Sequence, residues 1–73
     1  MVITTIHNNK LFIKFDSLVK NGIIYIKDNK DFKSNHPIKN SDFEVMDLST
    51  NSEKIHIQIE IGKTIISKTI ILK

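Results

Sequence analysis

The stretch Lys54 to Lys73, KIHIQIEIGKTIISKTIILK, constrains this chain more than any other. Ile55, Ile57, Ile59 and Ile61 alternate with His56, Gln58 and Glu60. Successive side chains of a pleated strand point to opposite faces, so this period of two predicts a strand with one face buried. Gly62-Lys63 follows at once, and Gly at the first central position suits a two-residue II′ hairpin turn. The turn sets a register: Ile61 faces Thr64, Ile59 faces Ile66, Ile57 faces Lys68 and Ile55 faces Ile70. On the reverse face Glu60 lies by Ile65, Gln58 by Ser67 and His56 by Thr69. Lys68 is the misfit among the isoleucines. It either snorkels at the rim or marks a bulge that shifts the register after Ile65. An inward charge on an edge strand also guards the β-prone segment IISKTIIL against edge-to-edge pairing.

The N-terminal part, 2–28, reads as a three-stranded meander. Asn8-Asn9 is a turn, because Asn tolerates positive φ, and it sets Ile6 against Leu11, Thr4 against Ile13 and Val2 against Phe15. Asn21-Gly22 is a second turn signal of the I′ type. It sets Val19 against Ile24, Ser17 against Ile26 and Asp16 against Lys27, a favourable cross-strand charge pair. One face then carries Val2, Ile6, Leu11, Ile13, Phe15, Val19, Ile24 and Ile26. The other mixes Ile3, Phe12, Leu18, Ile23 and Tyr25 with His7, Lys14, Asp16, Lys20 and Lys27, too apolar for an ordinary wet surface. Either the rest of the chain or a second copy covers it, or it is a contact surface.

Residues 29–42 are polar and carry Pro37, which fixes φ and lacks a donor; they read as an irregular connection anchored by Phe32 and Ile38. Residues 43–48 fit a short strand or a helical turn, the latter through a Ser41–Glu44 capping box. Ser49 to Ser52 supplies a turn into the C-terminal hairpin, 54–72. The expected fold is all-β: one domain over 1–73, a small antiparallel sandwich or partly open barrel of five to six strands with the two amphipathic ribbons face to face.

Composition narrows function by exclusion. With 73 residues and no Cys, neither a disulfide framework nor a thiolate zinc site is available. No leader-like start and no membrane-length apolar run is visible, so the expected setting is cytoplasmic, in a bacterium or an infected host cell, without membrane contact. All 11 basic residues are Lys, against 8 acidic ones, for a net charge of +3. The abundance of Ile, Lys and Asn and the absence of Ala point to AT-rich codons, as in a low-GC bacterium or its phage. His7, His36 and His56 share no metal-ligand spacing, and no nucleophile motif or phosphate-cradling glycine loop occurs. The expectation is therefore a non-catalytic module without cofactor or metal, acting by binding a partner protein or a copy of itself, in the manner of a phage or mobile-element accessory or inhibitor protein. The candidate contact residues are Phe12, Lys14, Leu18, Lys20, Tyr25 and Lys27, with the segment around His36. The alternative is nucleic-acid binding, since Phe12 and Tyr25 among lysines combine base-stacking rings with phosphate-neutralising cations.

Overall fold

The computed structural model describes residues 2–30, 32–48 and 53–72. Five antiparallel strands form a single sheet curled into a half-barrel. In chain order they are β1 (Val2–His7), β2 (Lys10–Asp28), β3 (Lys33–Asp47), β4 (Lys54–Ile61) and β5 (Thr64–Ile71). Among the described residues no helix is long and apolar enough to cross a membrane.

Strand β2 organises the sheet. One of its edges pairs with β3; the other pairs with β1 over Lys10–Phe15 and with β4 over Ile23–Asp28. Nineteen extended residues span about 60 Å at the usual rise. The longest dimension of the whole chain is 32 Å, so β2 must bend strongly. Its ladder with β3 breaks between Lys14 and Val19, and Asn40 on β3 takes a positive φ of 49° beside this corner. The corner divides the sheet. An N-terminal half holds β1, the start of β2 and the end of β3; a C-terminal half holds the rest of β2 and β3 with β4 and β5.

Both terminal hairpins match the expected registers, pair for pair. Asn8 and Asn9 have φ of 51° and 61°, as a I′ turn requires at both positions. Gly62 has φ of 59° and Lys63 is not left-handed, which fits the II′ turn. Lys68 causes no bulge. Its Nζ crosses the inner side and donates to the Val2 carbonyl at 2.9 Å, tying β5 to β1 where no strand ladder joins them.

The expected turn at Asn21-Gly22 is not made; β2 runs straight through it, so the meander's second and third strands are one strand. Gly22 serves a close approach instead. A Cβ there would stand 2.9 Å from the Glu60 carbonyl oxygen and 3.3 Å from Ile38 Cδ1. The inner residues of β2 are odd-numbered from Leu11 to Val19 and even-numbered from Ile24. A bent strand and a two-residue hairpin both produce that shift of phase, so the expected inward set is found although the expected connection is not. The Asp16–Lys27 cross-strand pair accordingly does not form: Lys27 lies between Lys33 and His56.

Residues 33–42, expected to be irregular, belong to β3, and the same strand continues through 43–47, so the helical alternative is not adopted. β3 pairs only with β2, and an edge strand is where Pro37 costs no ladder hydrogen bond. The β2–β3 connection is held by Asp28, whose Oδ1 accepts from the backbone N–H of Lys30 at 2.8 Å and of Phe32 at 3.1 Å. The turn expected at Ser49 to Ser52 lies outside the described residues. Leu11, Ile13, Phe15, Ile24, Ile26, Ile38 and the isoleucines of β4 at 55, 57 and 59 fill one core that spans both halves.

Candidate functional site

The core fills the inner face, and the outer face of the sheet is open to contacts. On the N-terminal half, three strands place Ile3, Lys14 and Phe43 in one row and Thr5, Phe12 and Val45 in the next. Phe12 and Phe43 stack diagonally, with ring centroids 6.2 Å apart and planes 25° from parallel. Ile3, Phe43 and Val45 are 57%, 47% and 41% exposed, and no described part of the chain covers them. The charges around them are paired within the sheet. Lys14 Nζ donates to Asp42 Oδ2 at 2.9 Å; that hydrogen bond, then the lysine's charge, holds the Asp42 carboxyl below its usual range. Lys10 and Asp47 lie 3.9 Å apart at the margin.

The outer face of the C-terminal half is built from different chemistry. Lys33, Lys27, His56 and Thr69 stand abreast on four strands. In the adjacent row stand Asn35, Tyr25, Gln58 and Ser67. Twist of the sheet shapes these rows into an open groove of about 490 Å³. Hydrogen bonding toward the Glu60 carboxylate, then partial burial and that carboxylate's charge, push the Tyr25 pKa above its ordinary value of 10. His56 Nδ1 lies 3.0 Å from Thr69 Oγ1.

No protein-family model matches this chain, and no curated protein matches it by sequence. Function has to be argued from these faces alone.

The seven candidate residues do not form one site. Phe12 and Lys14 lie on the N-terminal outer face and Tyr25 and Lys27 in the C-terminal groove, while Leu18 and Lys20 are exposed at the corner between them. His36 is on the opposite side of the sheet. It pairs with buried Ile24, and its Nε2 stands 2.5 Å from Glu44 Oε1. Burial raises the Glu44 pKa, but hydrogen bonds from Ser41 and His36 and the imidazole's charge outweigh it, so the net shift is below 4.5. His36 thus belongs to a half-buried polar pair rather than to a mobile contact segment. Its inward position follows from its spacing of two from Ile38, a signal the sequence held. Phe43 and Val45 complete the apolar face and were missed, since their partners depend on how β3 registers on β2. The three histidines stand apart, and among the described residues no three His, Asp or Glu side chains gather as metal ligands.

Proposed function

We propose that this chain is a small non-catalytic interaction module that docks a partner protein on the outer face of its N-terminal half. The observation that supports this reading is the uncovered cluster of Ile3, Phe12, Phe43 and Val45. Contiguous apolar side chains rimmed by polar ones mark contact surfaces. Aromatic side chains are the usual anchors of such interfaces. Because Lys14–Asp42 and Lys10–Asp47 are already paired, an incoming apolar surface would strand little unpaired charge. An accessory or inhibitor role in a phage or mobile element is the setting that fits the AT-rich composition.

The test uses the tagged full chain to capture proteins from a low-GC bacterial lysate, compared with Phe43→Lys and Ile65→Lys. Ile65 is 60% exposed on the other half and serves as the control. A protein held by the wild type and by Ile65→Lys, and released by Phe43→Lys, supports the reading. Capture that survives Phe43→Lys overturns it. Sedimentation velocity across a concentration series separates the second candidate occupant. A mass that rises with concentration and drops to the monomer in Phe43→Lys makes the occupant a copy of this chain and rejects the partner protein.

A further inference from the structure

The cations of the C-terminal groove are placed against the ordinary preference of a sheet. Lys27 sits directly opposite Lys33. Like charges in directly opposed positions destabilise pairing. Among the described residues neither lysine has an ion-pair partner, whereas Lys14 and Lys10 on the other half are both paired. Among the described residues Glu60 is the only acid lining the groove, and it lies in the row of Ile23, two rows from Lys27 and Lys33. The row therefore presents uncompensated positive charge at one end of a concave surface.

The next row supplies a flat ring between amides. Tyr25 is half-buried, with Asn35 on one side and Gln58 then Ser67 on the other. A groove of about 490 Å³ falls within the range of roughly 300–1,000 Å³ typical of sites for small groups. Cations that track a backbone, with an aromatic ring on which a base can stack, are the recurring parts of single-strand nucleic-acid sites. Side-chain amides add donors and acceptors for base edges. An acidic peptide would use the lysines but offers no flat base to stack on the ring.

We propose that the outer groove of the C-terminal half binds single-stranded nucleic acid, with Tyr25 stacking on a base and Lys27 and Lys33 neutralising its phosphates. The site is separate from the apolar face of the N-terminal half and stands or falls independently of it.

The test is fluorescence anisotropy of a labelled ten-nucleotide oligothymidylate titrated with the full chain. Two phosphate contacts give a salt slope of about −1.4, so affinity falls about sevenfold between 50 and 200 mM salt. In Lys27→Gln one contact is lost and the slope shrinks to about −0.7. Tyr25→Leu, which keeps an apolar side chain on the strand, weakens binding about fivefold or more, whereas Tyr25→Phe retains most of it. Lys63→Gln, on the exposed β4–β5 turn, serves as the control for general charge and leaves the slope unchanged. The proposal is overturned by absence of binding at 50 mM salt, by equal affinity of Tyr25→Leu and the wild type, or by equal effects of Lys27→Gln and Lys63→Gln. Equal binding of poly-glutamate of the same length also rejects it. Circular dichroism of each variant confirms that a lost affinity is not a lost fold.

Discussion

Across from Phe12 stand Thr5 and Val45; across from Tyr25 stand Gln58 and Asn35. Both aromatics sit outward on the same strand, yet one belongs to an apolar patch with its charges paired off and the other to a polar groove with its lysines left open. The contrast shows that β2 alone does not decide what its outer side chains can bind. Its neighbours do, and they change at the corner, where β1 gives way to β4. One small sheet can carry two dissimilar surfaces in this way, with a single core behind both.

The shared core is the part of this comparison that mutation should disturb most. Ile13 lies behind the apolar patch and Ile24 behind the groove, and both are fully buried. Truncating either to Ala is expected to cost about 2–5 kcal/mol. Thermal denaturation followed by circular dichroism should show one transition, lowered by either change. Two transitions, each sensitive to only one substitution, would mean that the halves do not share a core.

The corner itself comes next. Gly22→Ala forces a Cβ against the Glu60 carbonyl and should cost about 1–3 kcal/mol, as overpacking usually does. Gly62→Ala meets no atom within 4 Å, so its cost of about 1–2 kcal/mol comes from the left-handed φ alone. Denaturant titration of both variants checks the order. A neutral Gly22→Ala would contradict the close approach of β4.

That residue also shows what could be read from the chain before its structure was known. Both terminal hairpins were legible to the residue, because each joins a turn of special φ to unbroken alternation. The inward set of β2 was legible too. Its path was not, since a slip in alternation beside Asn-Gly fits a turn and a bend equally. The first part of β3 was obscured because an edge strand tolerates Pro37 and polar side chains that a central strand would reject. The grouping of the site residues was harder still. The Phe12–Phe43 stack and the Lys33–Lys27–His56 row arise from pairings between strands far apart in sequence, and no local pattern marks them.

Two smaller effects sharpen the contrast between the faces. Phe43→Ser removes the stack on Phe12 and should cost about 0.5–1.5 kcal/mol, whereas Ile65→Ser should stay within about 0.5 kcal/mol. Thermal melts of the pair measure the difference; equal costs would mean that the aromatic pair adds nothing to the fold.

The smallest effect concerns the inner rim. The Glu44 pKa is lowered on folding, so its contribution to stability is complete above about 4.5 and is lost as pH falls through the lower folded-state value. Glu44→Gln should therefore flatten the acid limb of a stability–pH profile. An acid limb identical to the wild type's would remove the His36–Glu44 pair from the account.

The division of the outer surface is tested most directly by nuclear magnetic resonance. Uniformly ¹⁵N-labelled chain is titrated with the oligothymidylate at low salt while the backbone amides are followed. The account predicts shifts concentrated at Tyr25, Lys27, Lys33, His56 and Gln58, with Ile3, Phe12, Phe43 and Val45 unmoved. Shifts centred on Phe12 and Phe43, or spread evenly over both halves, would contradict it.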